Sequence, residues 1–253
     1  MVAPKISVCI PTYEMGGKGA KFLERALSNL LSQDFDDFEV VVSDQSEDHA
    51  VRSLCESWDQ DLCIAYFDNS AGKRQASANS NFAIDRARGE IVKILFQDDF
   101  LWEKMALSRM SDAFDGSEID WLVCGSCISR DGNSLERTMV PRLTEKMHFG
   151  KNAVSSPSVL AMRASCVQKF DENLIWLMDV EMYRRLWRDL GEPAIIKETL
   201  VANCIHSGQV STGITKEIML EELKHVWRLH GADTSIAGKM EYLKRRLKLA
   251  WSK

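Results

Sequence analysis

The sequence predicts an α/β fold, a Rossmann-like and mostly parallel sheet flanked by helices, with a helical appendage at the carboxyl end. Three observations predict it. Short, nearly all-apolar runs alternate with stripes of helical period as far as Ser129, the pattern of a parallel sheet covered on both faces. With 45% apolar and 27% charged side chains, the 253 residues can bury a sizeable core. Neither a fixed-period repeat nor a run of about 18 apolar residues occurs, which sets aside solenoids and membrane-spanning helices.

Each element follows from its own residues. Lys5 to Ile10 is a β-branched apolar run stopped by Pro11, too short for a signal peptide, and reads as a strand. Ala20 to Leu31 carries a helical stripe through Phe22, Leu23, Ala26, Leu27, Leu30 and Leu31. Phe38 to Ser43 is a second strand, Glu47 to Trp58 a helix and Leu62 to Phe67 a third strand. Lys73 to Ala87 is helical, Ile91 to Phe96 a fourth strand, Trp102 to Phe114 helical and Asp120 to Ser129 a fifth strand. Beyond it, residues 130–155 read as loops with a short extension, and Ser156 to Met162 as a strand. Asp179 to Leu190 is an amphipathic helix ending at Gly191, and Leu200 to Ile205 is the last strand. Lys216 to His230 and Gly238 to Ser252 are terminal helices.

The net charge of −5 argues against a nucleic-acid partner. Seven cysteines, an odd number set in strand-like runs, form no disulfide framework and suit a reducing compartment, the cytoplasm. Cys124 and Cys127 make a C-x-x-C, but in a strand and without a second Cys/His pair at zinc spacing.

Ligands of parallel sheets sit beyond the carboxyl ends of the strands. After the first strand stand Pro11, Thr12, Tyr13 and Glu14, then Gly16, Gly17 and Gly19, a cluster through which backbone could approach phosphates. It is neither a G-x-G-x-x-G nor a P-loop. After the second strand stands Asp44, which could meet a ribose or base edge or cap the next helix. After the fourth stand Gln97, Asp98 and Asp99; the paired carboxylates suit a divalent cation on a substrate phosphate, or a helix cap near Trp102.

Several short motifs in order resemble a family 2 glycosyltransferase with the GT-A fold. They are Ser7–Tyr13 (SVCIPTY), Val41–Asp44 (VVSD), Ala87–Glu90 (ARGE), the LFQDD run, Met178–Glu181 (MDVE) before Arg185-Leu186, and His206–Ser211 (HSGQVS). The LFQDD variant, with Asn79-Ser80-Asn81 upstream, looks like enzymes that build bacterial surface polysaccharides such as O-antigen. The resemblance implies that Pro11, Thr12, Tyr13 and Glu14 line a nucleotide pocket, that Asp44 meets the uracil or ribose, and that Asn79, Asn81, Gln97 and Asp98 belong to the nucleotide-sugar site. It implies Mn²⁺ or Mg²⁺ on Asp98 and Asp99, with His206 as a further ligand or a donor to the diphosphate, unless His206 is a plain surface histidine. Two departures stand out: Phe96 or Gln97 takes the first acid of the family's D-x-D, and Met178 the first acid of its E-D. The second acid of that pair falls on Asp179, the implied catalytic base, which could otherwise cap its own helix.

The implied reaction is inverting transfer of a sugar from a UDP-sugar to a hydroxyl of a saccharide acceptor that is lipid-linked. The division expected is a catalytic domain over residues 1–212, with a nucleotide-sugar half at 1–128 and an acceptor half at 129–212, followed by helices over 213–253. The alternatives are a sugar-phosphate nucleotidyltransferase, whose glycine-rich signature is missing, and a non-catalytic membrane-associated scaffold, which leaves Asp98, Asp99 and Asp179 unexplained.

In the last helix Ile236, Met240, Leu243, Leu247 and Ala250 form one stripe, with Trp251 beside it. Six basic residues and one acidic residue lie between Lys239 and Lys253. Either the stripe packs on the catalytic domain, or the helix rests on an anionic membrane, placing the protein peripherally on the inner face of the cell membrane.

Overall fold

The computed structural model describes residues 3–130, 132–206 and 213–251. In chain order the elements begin β1 (Ile6–Thr12), α1 (Gly19–Leu31), β2 (Phe38–Asp44), α2 (Ala50–Ser57), β3 (Ile64–Asp68), α3 (Ala76–Ile84), β4 (Ile91–Ile94) and β5 (Phe100–Leu101). They continue α4 (Ala106–Asp115), β6 (Trp121–Ser129), β7 (Glu136–Met139), β8 (Leu160–Arg163), α5 (Met178–Leu190), β9 (Ala194–Cys204), α6 (Lys216–His230) and α7 (Ile236–Trp251).

One sheet runs β3-β2-β1-β4-β8-β6-β9-β5, with β7 on the side of β6. The first four positions are parallel, as the continuous apolar runs required: every residue of β1 is buried, and β1 pairs with β2 from Ile6 opposite Phe38 to Thr12 opposite Asp44. The second half is mixed. β8 lies antiparallel between β4 and β6, β9 returns parallel to β6, and the two-residue β5 closes antiparallel on β9. The sequence gives no sign of β5 or β7, since two to four residues carry too little pattern. β9 begins at Ala194 rather than Leu200, because pairing with β6 extends it through polar residues.

The core lies between sheet and helices. α1 buries Leu23, Ala26, Leu27 and Leu30 against it, roughly 1.5–3 kcal/mol for each fully buried leucine. At the amino-terminal end of the sheet, Arg88 donates to the buried Glu39 through Nε at 2.9 Å, and the Ser7 hydroxyl donates to Glu39 Oε1 at 2.6 Å. A side chain on Gly89 would meet the Ser7 nitrogen at 2.7 Å, so the Arg88-Gly89 motif locks the fold on the end away from the site. All seven cysteines are free, and Cys124 and Cys127 point to opposite faces of β6.

α6 and α7 pack on the second half. Glu222 of α6 accepts from the backbone N–H groups of Ile175, Trp176 and Leu177 at 2.7–3.2 Å. Trp227 stacks on Tyr242 of α7 at 4.3 Å, and Tyr242 meets Phe149 at 5.4 Å. The apolar stripe of α7 is not what docks: Ile236, Met240, Leu243 and Leu247 are exposed, while Gly238, Glu241 and Tyr242 are buried. Among the described residues no helix is long and apolar enough to cross a membrane.

Candidate active site

The carboxyl ends of β1, β2 and β4 converge, and the turn after β1 opens the site. Gly16 and Gly17 stand at φ +62° and +83°, a region glycine adopts without steric cost. A side chain on Gly19 would strike the Tyr13 carbonyl at 2.1 Å. Gln97 holds this turn. Its Oε1 accepts from the Tyr13 N–H at 2.7 Å, and its Nε2 donates to the carbonyls of Tyr13 at 3.0 Å and Gly19 at 3.1 Å. Pro11 and Thr12 are buried, whereas Tyr13 and Glu14 are only partly buried. Burial, with the Asp98 and Glu14 carboxylates nearby, raises the Tyr13 phenol. Glu14 Oε2 is shielded and has no hydrogen-bond partner among the described residues, standing 3.8 Å from the Arg74 guanidinium.

Asp44 caps no helix. α2 starts at Ala50, whose N–H is met by Asp48. Asp44 Oδ1 instead accepts from the Thr12 and Ser46 hydroxyls and the Ser46 N–H, and Oδ2 accepts from the Tyr66 phenol at 2.9 Å. Asn79 and Asn81 are buried and hydrogen-bonded within the protein. Asn79 donates to the Thr12 carbonyl and accepts from Ser43 and Asn69. Asn81 exchanges hydrogen bonds with the Phe170 backbone.

Asp98 and Asp99 are adjacent but face different surroundings. The helix they were placed to cap begins only at Ala106, so neither caps it. Asp98 lies within 3.0 Å of His206 Nε2, with side chains 16% and 15% exposed. His206 stacks on Phe22 at 4.6 Å. Arg25, over the rings of Phe22 and Phe100, donates to the Asp98 carbonyl at 2.9 Å and to Cys204 Sγ. Asp99 turns inward. Its Oδ2 accepts from the hydroxyls of Ser156 at 3.1 Å and Ser158 at 2.6 Å, and its Oδ1 from the Cys204 N–H at 3.1 Å. Burial, reinforced by Asp98, pushes its carboxyl up to about 7. Lys93, wholly buried on β4, donates to the Ser158 carbonyl, and burial lowers its amine to about 8. The remainder of the His206 motif, residues 207–211, lies outside the described residues.

Asp179 sits in the first turn of α5 but is not its cap: the helix starts one residue earlier, and Glu222 takes the backbone donors leading into it. Its Oδ1 accepts from the Val180 N–H at 2.7 Å and its Oδ2 from Asn152 Nδ2 at 2.6 Å. Burial lifts its carboxyl to about 6, against those two hydrogen bonds. Glu181 points elsewhere, to His230 and Arg185. His148 and His230 are buried and His225 pairs with Asp171, all structural.

One polar chain joins the two acid centres. Asn152 donates to Asp179 and to the Ser155 carbonyl at 2.9 Å. Asn203 donates to the Ser155 hydroxyl at 2.9 Å and accepts from Ser156 at 2.6 Å, and Ser156 also donates to Asp99. Ser155 is held at φ +124°, a strained position of the kind that clusters at functional sites. Sequence reasoning missed Arg25, Arg74, Asn152, Ser156, Ser158, Asn203 and Glu222. Only the polar run Asn152–Ser158 (NAVSSPS) carried a signal, and it read as the end of a loop followed by the start of a strand.

The family model for glycosyl transferase family 2 matches residues 7–168. A GalNAc(5)-diNAcBac-PP-undecaprenol beta-1,3-glucosyltransferase of Campylobacter jejuni is 33% identical over 132 residues, 51% of this chain and 40% of the relative. A validoxylamine A glucosyltransferase of Streptomyces hygroscopicus is 40% identical over 83 residues, 32% of this chain and 19% of the relative. The chain thus spans less than half the length of these curated relatives. Among solved structures, Staphylococcus aureus TarS 1-349 in complex with UDP-GlcNAc superposes with a TM-score of 0.72 at 18% identity, over 98% of this chain and 73% of that one. The mannosyltransferase PcManGT of Pyrobaculum calidifontis, in complex with GDP-Man and Mn²⁺, gives 0.65 at 17%, over 100% and 71%. The fold is therefore GT-A, and with the family model covering more than half of its residues, the chain belongs to glycosyl transferase family 2.

Proposed function

We propose that the chain transfers a sugar, with inversion, from a UDP-sugar to a hydroxyl of a lipid-linked saccharide in bacterial surface polysaccharide synthesis. Residues 1–128 would hold the donor and 129–212 the acceptor. The observation that carries this reading is the pairing of two unlike acid centres. Asp98 with His206 stands at the strand ends, and Asp179, lifted toward neutrality, stands in the first turn of α5 with one oxygen on the Val180 N–H and the other on Asn152.

The side chains fit a divalent cation. Asp98 and His206 offer one oxygen and one nitrogen ligand, a mixed set that suits Mn²⁺ better than the harder Mg²⁺. Among the described residues no three His, Cys, Asp or Glu side chains gather, so further ligands would come from the diphosphate and water. When bound, the cation would offset the charge of the leaving diphosphate. Asp99, fully hydrogen-bonded, positions Asp98 rather than ligating. Tyr13 and Glu14 border the nucleotide, and Arg74 stands beside Glu14 as a further donor. Asp44 lies behind them, reachable by a base edge that displaces a hydroxyl.

Asp179 would accept the proton of the acceptor hydroxyl as that oxygen attacks the anomeric carbon, a role worth about 10²- to 10⁴-fold. A carboxylate raised to about 6 remains ionised at neutral pH while being a stronger base than an exposed one. Asn152 fixes the rotamer of Asp179. A single displacement converts an α-linked donor into a β-linked product. The undecaprenol-linked substrate named for the Campylobacter relative supports a lipid-linked acceptor, and such an acceptor would place the protein at the cytoplasmic face of the membrane.

The test is UDP release from a panel of UDP-sugars with and without Mn²⁺. Release that requires the cation and rises with a polyprenyl-linked saccharide is expected. Pyrophosphate release from UTP and a sugar phosphate would favour the nucleotidyltransferase. No turnover with any donor would favour the scaffold.

A further inference from the structure

α7 is attached to the protein along one side. At about 100° per residue, Gly238, Glu241, Tyr242, Arg245 and Leu249 share a face, and all are buried or partly buried. The opposite face carries Ile236, Met240, Leu243, Leu247 and Trp251, exposed by 80, 66, 56, 59 and 83%. No other large apolar side chain among the described residues exceeds the 49% of Leu31. Exposed apolar residues scattered singly need no explanation, but five on one face of one helix do.

The borders of this stripe are cationic. Lys239 and Arg246 run along one edge and Lys244 and Lys248 along the other, all exposed. The helix's acidic residue, Glu241, lies on the docked side, where its Oε1 accepts from Arg245 at 3.0 Å. The outward face of α7 therefore carries no negative charge. A groove lined by Leu220, Leu243, Leu247 and Ala250 together with the cations Lys224 and Arg246 continues this surface onto α6.

We propose that this face docks on an anionic lipid bilayer, with α7 lying in the plane of the interface. The stripe would enter the boundary between headgroups and acyl chains, and the four flanking cations would reach the headgroups. A basic residue near an anionic surface adds roughly fivefold to binding. The flanks also argue against a second copy as occupant. The 4-3-4-3 spacing of Ile236, Met240, Leu243, Leu247 and Ala250 is a coiled-coil seam, but pairing it with itself would line Lys239, Lys244 and Arg246 along the interface. The position suits the second half of the sheet: α7 packs through Tyr242 on Phe149, three residues before the segment that holds Asp179. The docking claim does not depend on the donor chemistry.

The test is co-sedimentation of the full chain with phosphatidylglycerol/phosphatidylcholine vesicles and with pure phosphatidylcholine vesicles, alongside UDP titration. The expected results are binding to the anionic vesicles at least about tenfold tighter than to the neutral ones, lost at about 0.5 M salt. Leu243→Asp with Leu247→Asp should abolish binding, and Lys244→Glu with Lys248→Glu should remove the anionic preference. All four side chains are exposed, so melting temperature and UDP binding should not change. No vesicle binding by the wild type, or binding unchanged in either double variant, would overturn the proposal. So would a wild-type dimer that becomes monomeric in the Leu243/Leu247 variant. Should that variant fail to fold, the Lys244/Lys248 variant still decides. Failure to bind UDP would count against the transferase reading alone.

Discussion

The two halves of the sheet place their polar side chains by different means. In the parallel half β1, β2 and β4 deliver their residues directly: Asp44 ends β2, and Tyr13, Glu14 and Asp98 follow their strands by no more than four residues. In the second half β8 runs backwards, and the polar groups come from the irregular segment before it and the end of β9. Asn152, Ser156, Ser158 and Asn203 meet there because long-range pairing brings them together. The first arrangement makes a pocket whose outline follows from strand order. The second makes a cross-linked support whose members have no meaning apart from their partners. Asp98 and Asp99 lie on the seam, one facing each way.

Five substitutions can break or sharpen this contrast. Asp98→Ala and His206→Ala each remove a cation ligand from the strand-end pocket, and transfer should fall by about 10³-fold with an unchanged melting temperature. Equal losses of activity and stability would erase the distinction from Asp99. Asp179→Asn should lower kcat by about 10²-fold or more while leaving UDP affinity intact. Because its carboxyl titrates near 6 in the folded protein, wild-type kcat should fall as pH drops through about 6, where the base becomes protonated. A flat profile from pH 5 to 8 would remove Asp179 from the proton transfer.

Asp99→Ala should act mainly on stability, since it removes the acceptor of the Ser158 hydroxyl and of the Cys204 N–H, whereas Ser156 keeps Asn203. About 1–3 kcal/mol is expected, read from denaturant unfolding at neutral pH. A variant as stable as wild type would show that the inward network carries little. The smallest effect belongs to Asn152→Ala. It deletes a hydrogen bond that favours the charged form of Asp179, so the acid limb of the kcat profile should move upward by up to about one pH unit. A limb that stays in place would mean Asn152 only braces its own loop.

Much of the fold and part of the site are legible in the sequence, for reasons that can be traced. β1 to β4 are continuous apolar runs because both sheet faces are covered, and Asp98 and Asp179 are carboxylates where a strand ends and a helix begins. Gln97, Asn79 and Asn81 also follow the pattern, yet they point inward. A side-chain amide can stitch a turn as readily as it can meet a ligand, and nothing local tells which. In the sequence Asp179 also reads as a helix cap; in the structure it lies one residue inside α5 with its Oδ1 on the Val180 N–H, while Glu222, 43 residues later, takes the Leu177 N–H at 2.8 Å. The stripe of α7 is plain in the sequence, but which face docks is set by Gly238 and Tyr242. A side chain on Gly238 would meet the Glu145 carbonyl at 2.7 Å, which lets the helix lie close on that side.

The central claim is that the outward acid at the β4 end, and not its inward neighbour or the distant base, holds the cation that binds the nucleotide. Calorimetric titration of UDP with and without Mn²⁺, into the wild type, Asp98→Ala and Asp179→Asn, tests it most directly. Cation-dependent UDP binding in the wild type and in Asp179→Asn, lost in Asp98→Ala, is the predicted result. UDP binding that ignores Mn²⁺, or that survives in Asp98→Ala, would contradict it.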